Sequence, residues 1–250
     1  MAEPEILETA QGRALAYHHT PGVGPTVVFL GGLKSDMEGT KAVHLEAWCA
    51  ARGQGFLRFD YSGHGQSSGT FEDGCIGDWA QDTSEALSTL TTGPLVVVGS
   101  SMGGWQALLF ARAYPNRVVG LVTIAAAPDF TEDSYAKSFT DAQWAALERD
   151  GQVEMPSDYM EPYIITRRLI EDGRANLVLR APLPLPFPVR CLQGTQDSAA
   201  STETAVRLLE HADSPDMRLT LVKGADHRFS DGPCLGLIEA AIVDVLSAGT

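Results

Sequence analysis

Short apolar runs alternate with longer segments of helical periodicity from residue 1 to about residue 126, and this alternation permits only a few architectures. A strand that is apolar along its whole length is covered on both faces, which is typical of parallel sheets flanked by helices. We therefore expect an α/β fold with a mostly parallel, doubly wound sheet, entered through an antiparallel pair of strands. The predicted strands span 4–9, 13–18, 26–30, 55–59, 95–99, 118–125, 189–193 and 217–222.

Helical periodicity is clearest between Ile76 and Leu90, where apolar side chains recur every three or four residues. Such a stripe packs against a sheet, so these residues are interpreted as core. Two further helices are predicted near 202–212 and 234–247.

Residues 129–187 interrupt the alternation with helical segments, polar turns and the proline-rich end APLPLPFP. Because strands resume afterwards, we interpret this segment as a small helical cap inserted into one domain of residues 1–250. We expect the cap to contribute to a substrate pocket, chiefly through Trp144 and Tyr163, although each side chain could instead pack the cap itself. The large apolar side chains of the cap are Phe130, Phe139, Trp144, Tyr159, Tyr163 and Ile164.

The chain is acidic, with a formal charge of −14 and a pI near 4.7. The field of such a chain repels polyanions, so nucleic acid is not an expected partner. We attribute the acidity to a solvated surface. The sequence has no apolar run near the ~20 residues that a bilayer span requires, so no membrane span is expected.

The N-terminal MAEPEILETA has neither the apolar stretch of a secretory signal nor the Arg-rich composition of a mitochondrial address, so we expect a cytoplasmic protein.

His18 and His19 are neighbours on a predicted strand and point to opposite faces, so they do not share a metal ion, and no bound metal is expected. The four cysteines are too far apart in sequence to form a zinc or redox motif, so we interpret them as isolated thiols. Isolated thiols are consistent with a reducing compartment. They are Cys49, Cys75, Cys191 and Cys234.

The pattern G-x-S-x-G occurs twice, at 99–103 and at 65–69. In the α/β-hydrolase fold the nucleophilic serine of this pattern lies on a sharp turn from strand to helix, flanked by small residues. Ser101 meets this requirement, because it follows the apolar run LVVVG and precedes the helical pattern GGWQALLFARAY. Ser67 lies among loop residues and is interpreted as a polar turn residue. Ser101 is therefore the predicted nucleophile.

Two backbone N–H groups are expected to stabilise an oxyanion beside Ser101. Met102 begins the helix behind the nucleophile, where unpaired N–H groups and a partial positive charge favour negative charge. The second donor is expected in Gly31-Gly32-Leu33, the loop after strand 26–30. The N–H of Leu33 is the preferred candidate, and an ordinary glycine turn is the alternative.

A serine hydroxyl needs a neighbouring base, and histidine is the usual one near neutral pH. In the α/β-hydrolase fold the base follows the last strand, in the chain order serine, acid, histidine. His227 comes directly after the predicted strand 217–222 and is the predicted base. His64 lies on a loop that could border the site, and we interpret it as structural.

Three carboxylates could orient His227. Asp226 is its sequence neighbour, so its side chain leaves the backbone in another direction. Asp129 follows the strand before the cap, a position that some hydrolases of this fold use for the acid. Asp197 follows the next strand in a short turn that leads to the same sheet edge as Ser101. We favour Asp197 over Asp129.

Four stretches of the chain carry a family resemblance: GTKA at 39–42, RFDYSG at 58–63, GSSMGGW at 99–105 and DHR at 226–228. They resemble the mitochondrial α/β-hydrolase-domain palmitoyl-protein thioesterases and acyl-glucuronide esterases, over nearly the whole chain. The resemblance implies Ser101 as nucleophile, Asp197 as acid, His227 as base and a short cap over an acyl pocket. It also implies that the turn after strand 55–59 lies beside the site as structure.

Together these features predict a serine esterase or thioesterase that forms an acyl-enzyme on Ser101 without a cofactor. The expected substrate is a small acyl ester or thioester, or an acylated protein. Arg228 follows the base and could pair with a carboxylate on the leaving group, or else with Asp226 or Asp231 at the surface. A noncatalytic small-molecule receptor is the alternative function, since a fold alone does not determine activity.

Overall fold

The computed structural model describes residues 3–156 and 162–248, which form one eight-stranded and one two-stranded sheet with flanking helices. The strands are β1 (Glu5–Glu8), β2 (Ala14–Thr20), β3 (Val23–Leu30), β4 (Gln54–Phe59), β5 (Leu95–Ser100), β6 (Val118–Ile124), β7 (Gln152–Met155), β8 (Tyr163–Thr166), β9 (Val189–Gly194) and β10 (Met217–Val222). The α-helices are α1 (Thr40–Ala50), α2 (Ile76–Leu90), α3 (Met102–Ala113), α4 (Asp141–Asp150), α5 (Arg167–Ala175), α6 (Thr202–His211) and α7 (Gly232–Ala248).

The large sheet has the strand order β1-β2-β4-β3-β5-β6-β9-β10. β2 is antiparallel to both β1 and β4, and all other neighbours are parallel. This arrangement confirms the predicted mostly parallel sheet with an antiparallel entry. The chain passes from β3 to β4 on one side and then returns to β5 on the other, so the strand order reverses between β3 and β5. In open α/β sheets, ligands bind outside the carboxyl ends of the strands at such a reversal.

Strand β5 shows why the central strands are apolar along their whole length. All six of its residues are buried, and alternate side chains point to opposite faces. Val97 belongs to the core formed with α2 and α3, whereas Val98 belongs to the core formed with α1 and α7. The centre of the sheet is therefore covered on both faces, which leaves its carboxyl edge and the adjoining loops to form a site.

The inserted segment between β6 and β9 differs from the expected all-helical cap. It contains a π-helical turn at Thr131–Ala136, then α4, the antiparallel pair of β7 and β8, and α5. Tyr163 and Ile164 lie on β8, because the run YIIT is aromatic and β-branched and such side chains favour strands. A run of four residues is also too short for its periodicity to distinguish strand from helix. Tyr159 lies outside the described residues.

No helix among residues 3–156 and 162–248 is long and apolar enough to cross a membrane.

Candidate active site

Ser101 lies on a sharp turn between the last residue of β5 and the first residue of α3. Its backbone has φ 55° and ψ −120°, a combination that L-residues rarely adopt. The turn presents the serine side chain at the carboxyl edge of the sheet, at the point where the strand order reverses. A strained serine at this position is typical of a nucleophile in the α/β-hydrolase fold.

The glycines beside Ser101 are required by close backbone approaches. A Cβ atom at Gly103 would lie 2.0 Å from the carbonyl oxygen of Leu30, and one at Gly99 would lie 2.3 Å from the carbonyl oxygen of Gly103. These distances are far below van der Waals contact, so no side chain fits at either position. The small residues of the pattern therefore allow β3, β5 and α3 to pack around the serine.

Ser101, His227 and Asp197 lie together although they are far apart in sequence. The Oγ atom of Ser101 is 3.0 Å from Nε2 of His227, and Nδ1 of His227 is 2.8 Å from Oδ2 of Asp197. The three residues follow β5, β10 and β9, whose carboxyl ends meet at one edge of the sheet. A hydroxyl, an imidazole and a carboxylate at these distances can move a proton from Oγ to Nε2 while the carboxylate orients the ring.

The carboxylate of Asp197 is fully buried and has four hydrogen-bond donors around it. Its Oδ1 atom accepts hydrogen bonds from the N–H groups of Ala199 and Ala200, each at 2.8 Å. Its Oδ2 atom accepts from Nε2 of Gln193 at 2.9 Å and contacts His227. Burial alone would raise the pKa of Asp197, but the hydrogen bonds from His227, Ala200 and Gln193 hold it below its ordinary value. The carboxylate is therefore ionised near neutral pH.

Asp129, the other candidate acid, is engaged within the inserted segment. Its Oδ1 atom accepts the N–H of Val178 at 2.8 Å, and its Oδ2 atom accepts the N–H of Leu179 at 3.0 Å and Nη1 of Arg180 at 2.6 Å. These bonds join the start of the inserted segment to a stretch near its end. In the part of the chain that the structure describes, no hydrogen bond connects Asp129 to His227.

Ser67 and His64 have structural contacts instead of a place beside Ser101. The Oγ atom of Ser67 donates to the carbonyl of Asp60 at 2.7 Å and accepts the N–H of Ala16 at 2.9 Å. These bonds fasten its loop to β2. His64 is buried, and its ring packs edge-on against Trp79 with the ring centroids 5.1 Å apart. Burial lowers the pKa of His64 to about 4, so this ring is neutral.

Met102 follows Ser101 directly, and the loop that carries Leu33 passes close to the serine. Met102 is the first residue of α3, where the helix itself provides no carbonyl partner for the N–H. A Cβ atom at Gly32 would lie 3.3 Å from Cβ of Ser101, so the loop that carries Leu33 passes next to the serine. Both residues line the same cavity as Ser101.

The loop 31–39, which carries Leu33, is anchored to the end of β4. The N–H of Met37 donates to Oδ1 of Asp60 at 2.6 Å, and the carbonyl of Met37 accepts from Nη1 of Arg58 at 2.8 Å. Burial raises the pKa of Asp60 to about 6. Sequence reasoning missed these two contacts. The only signal was the resemblance of RFDYSG, which placed this turn beside the site without naming its partners.

A cavity of about 830 Å³ is lined by Ser101 and His227, a size within the range of small-molecule pockets. The inserted segment contributes large apolar side chains to its wall, and the segments that follow β3 and β10, including the first turn of α1, contribute charged ones. The charged lining residues are Asp36, Lys41, Asp226 and Arg228. Within the described residues, no group of three or more His, Cys, Asp or Glu side chains could hold a metal ion.

Of the three predicted substrate contacts, Tyr163 and Arg228 line this cavity, and Trp144 is not among its described lining residues. The indole of Trp144 packs edge-on against Phe139, with the ring centroids 5.2 Å apart, so Trp144 contributes to packing within the cap. Tyr135 also lines the cavity and was missed. It lies on a π-helical turn, which a search for 3.6-residue periodicity does not find.

A family model described as the alpha/beta hydrolase fold matches residues 25–154. The mitochondrial palmitoyl-protein thioesterase ABHD10 of Bos taurus is 34% identical over 234 residues, which is 93% of this chain and 76% of that protein. The Homo sapiens protein of the same name is 33% identical over 234 residues, with the same coverage of 93% and 76%. The structure of alpha/beta hydrolase domain-containing protein 10 from mouse superposes with a TM-score of 0.90 at 31% identity, covering 98% of this chain and 99% of that chain.

The names of these relatives place them in mitochondria, so the cytoplasmic location expected from the sequence is wrong. That expectation was based on the composition of MAEPEILETA alone.

The family match, the identity with the ABHD10 proteins and the strand order agree with one another, and the predicted fold class is confirmed. The chain belongs to the α/β-hydrolase family and is a hydrolase.

Proposed function

We propose that this hydrolase cleaves carboxylic esters or thioesters through an acyl-enzyme on Ser101. The observation that carries the proposal is the continuous series of contacts from Oγ of Ser101 through His227 to the buried carboxylate of Asp197. The strained backbone of Ser101 and the partly apolar cavity beside it support the same chemistry. No cofactor takes part in this mechanism.

In the first half of the reaction, Oγ of Ser101 attacks the acyl carbonyl carbon and its proton moves to Nε2 of His227. The carboxylate of Asp197 stabilises the imidazolium that forms. The carbonyl oxygen becomes an oxyanion, which accepts hydrogen bonds from the N–H groups of Met102 and Leu33. When the intermediate collapses, the leaving alcohol or thiol takes the proton from Nε2 and the acyl group stays on Ser101.

In the second half, a water molecule attacks the acyl carbon while Nε2 of His227 accepts its proton. The same two N–H groups stabilise the second oxyanion. Collapse returns the proton to Oγ of Ser101 and releases the carboxylic acid. One water is consumed and one ester or thioester bond is broken.

We further propose that the acyl chain occupies the part of the cavity lined by Phe130, Tyr135 and Tyr163. Burial of each methylene group in such a pocket stabilises binding by about 0.8 kcal/mol. The relatives are named palmitoyl-protein thioesterases, so acyl thioesters, including those of acylated proteins, are the first substrates to test alongside simple esters.

The test combines labelling by a fluorophosphonate probe with turnover of p-nitrophenyl esters and matched acyl thioesters. Ser101→Ala is expected to abolish labelling and to reduce turnover to the rate in buffer. Ser67→Ala, in the second G-x-S-x-G pattern, is the matched control. Its folded fraction is expected to be labelled and to turn over substrate as the wild type does. Wild-type turnover no faster than buffer, with no labelling, would favour the noncatalytic receptor instead.

A further inference from the structure

Gln193 is a buried glutamine one residue before the end of β9, with 1% of its surface exposed. Its Nε2 atom lies within hydrogen-bonding distance of three acceptors: Oδ2 of Asp197 at 2.9 Å, the carbonyl of Ala200 at 2.9 Å and the carbonyl of Gly194 at 3.2 Å. These acceptors fix the orientation of the amide, because a flipped amide would direct its own oxygen at three other oxygen atoms.

The contact with Asp197 is made at the same oxygen that His227 uses. Oδ2 of Asp197 lies 2.8 Å from Nδ1 of His227 and 2.9 Å from Nε2 of Gln193, whereas Oδ1 accepts backbone N–H groups. Rotation of the carboxylate about its Cβ–Cγ bond would break both contacts at Oδ2. The glutamine therefore restrains the atom that orients the imidazole.

We infer that Gln193 is a positioning residue that holds Oδ2 of Asp197 in place for His227 and shares the negative charge of that oxygen. The inference rests on the proposed function, in which Asp197 orients the base. A hydrogen bond to an ionised carboxylate stabilises its charge. Without that bond the charge is compensated more by His227, so the imidazolium form is favoured and His227 is a base only at higher pH.

Other charged groups near the base lie on different elements. Asp36 lies before α1, and Lys41 lies in the first turn of that helix. Asp226 and Arg228 flank His227 in sequence, and all four charged residues line the cavity. None of them is among the described partners of the Gln193 amide. A substitution at Gln193 therefore changes the surroundings of Asp197 without replacing any of these charges.

Gln193→Met has nearly the same length as the native side chain and lacks the N–H donor. We expect kcat to fall about tenfold with KM little changed, since positioning of the base matters most in the transition state. The acid limb of kcat/KM, which reports protonation of the base, is expected to move to higher pH by about half a unit to one unit. A side chain that only filled space would change thermal stability and leave this limb in place.

Gln193→Glu provides a second signature because its donor can titrate. A protonated carboxyl can donate to Oδ2 of Asp197, and the three surrounding oxygens favour the protonated form. Activity is expected to approach that of the wild type while the carboxyl is protonated and to fall as it ionises. The profile should therefore gain an alkaline limb that neither the wild type nor Gln193→Met shows.

The experiment measures kcat and KM for a p-nitrophenyl ester from about pH 5 to about pH 10, with thermal unfolding of each variant. Gln196→Met, at an exposed glutamine in the following turn, is the matched control. Loss of stability in Gln193→Met with a wild-type kcat and pH profile would overturn the inference. Absence of Ser101-dependent turnover in the wild type would instead overturn the proposed function. In that case the low-field NMR signal of the proton between Nδ1 of His227 and Asp197 decides the inference. A pH titration of this signal that is shifted in Gln193→Met relative to the wild type supports the inference, and an unchanged titration refutes it.

Discussion

The N–H of Met37 donates to Oδ1 of Asp60 at 2.6 Å, and this bond fixes the loop that carries Leu33 to the end of β4. Asp60 is 2% exposed, and its Oδ2 atom accepts the N–H of Gln66 at 2.8 Å. A Cβ atom at Gly65 would lie 2.1 Å from that oxygen, so only glycine fits beside it. One buried carboxylate thus joins the loop of the proposed oxyanion donor to a second loop.

Asp60→Asn is expected to weaken both the fold and the chemistry. The amide has a single acceptor oxygen, so only one of the N–H groups of Met37 and Gln66 keeps its partner. An unsatisfied buried donor costs about 1–3 kcal/mol of unfolding free energy. Because the loop carries the N–H of Leu33, kcat should fall about tenfold with little change in KM. Urea unfolding and steady-state kinetics measure the two effects, and Asp141→Asn on the exposed face of α4 is the control. A wild-type kcat in folded Asp60→Asn would contradict the proposed oxyanion loop.

Asp60 and His64 are expected to give opposite pH dependences of stability. Burial raises the pKa of Asp60 from 3.8 to about 6, so its contribution to stability is lost as the pH rises through that range. Burial lowers the pKa of His64 from 6.5 to about 4, so its contribution is lost as the pH falls through that range. In the wild type the two contributions offset each other between about pH 4 and pH 6.

The free energy of unfolding of each variant, relative to the wild type, should therefore change in opposite directions. His64→Phe leaves Asp60 uncompensated, so its relative stability should fall as the pH rises from about 4 to 6. Asp60→Asn leaves His64 uncompensated, so its relative stability should rise over the same range. Each change should reach at most about 3 kcal/mol. Urea unfolding at several pH values measures these slopes, and parallel curves for the three proteins would show that neither group titrates as described.

Features formed by consecutive residues could be predicted from the sequence alone more fully than features formed by distant residues. The apolar run before Ser101 and the glycines after it identify the turn, because strand, turn and helix are all consecutive in the chain. Position in the chain favoured Asp197 without excluding Asp129, since both follow parallel strands that end at one sheet edge. The contacts of the two carboxylates differ. Those of Asp129 lie within the inserted segment, and those of Asp197 include His227.

The features that were missed depend on distant or irregular contacts. The anchoring of Met37 by Asp60 joins residues in two loops, and nothing in either stretch of sequence indicates the other. The hairpin of β7 and β8 is short, and Tyr135 lies on a π-helical turn, so neither follows a regular helical period. For Trp144 the sequence identified a large aromatic residue of the cap but not the direction in which its side chain points. A large aromatic side chain can pack in a core or line a pocket equally well.

Asp197→Asn and Asp129→Asn should separate catalysis from folding. With asparagine at 197, the imidazole of His227 is held in the wrong tautomer, and kcat is expected to fall by roughly two to four orders of magnitude, as in the serine-protease template. With asparagine at 129, the charged bond with Arg180 weakens, and the expected loss is about 1–3 kcal/mol of stability with a near wild-type kcat. Kinetics and thermal unfolding of both variants decide the assignment. Greater catalytic damage from Asp129→Asn would make Asp129 the acid.

Arg228→Ala tests whether the cavity recognises an anionic leaving group. The side chain lines the cavity, while the backbone carbonyl of Arg228 accepts a hydrogen bond from Lys41 that the substitution preserves. A guanidinium pairs well with a carboxylate, so KM for an ester with a carboxylate on its leaving group should rise about tenfold, with little change for a neutral ester. Arg218→Ala is the control, because Arg218 pairs with Asp216 and Asp244 instead. Equal effects on the two esters would show that Arg228 has only a surface role.

Two aromatic residues of the inserted segment have different surroundings, which makes them a matched pair. Tyr163 lines the cavity that contains Ser101. Trp144 packs against Phe139, and the guanidinium of Arg174 lies 5.9 Å from its ring centroid. If the inserted segment selects the acyl chain, substitution of Tyr163 should change the preference for acyl-chain length. Substitution of Trp144 should change only stability.

The measurement is kcat/KM for esters from acetyl to palmitoyl in the wild type, Tyr163→Ala and Trp144→Ala. Because each buried methylene contributes about 0.8 kcal/mol, the wild type should favour medium chains over acetyl by about one to two orders of magnitude. Tyr163→Ala should reduce this preference and spare acetyl turnover, since the proposed catalytic groups lie on the loops of the large sheet. Trp144→Ala should keep the wild-type preference and lose about 1–3 kcal/mol of unfolding free energy. A flat wild-type profile, or acetyl turnover in Tyr163→Ala that falls as far as that of longer chains, would show that the inserted segment does not select the acyl chain.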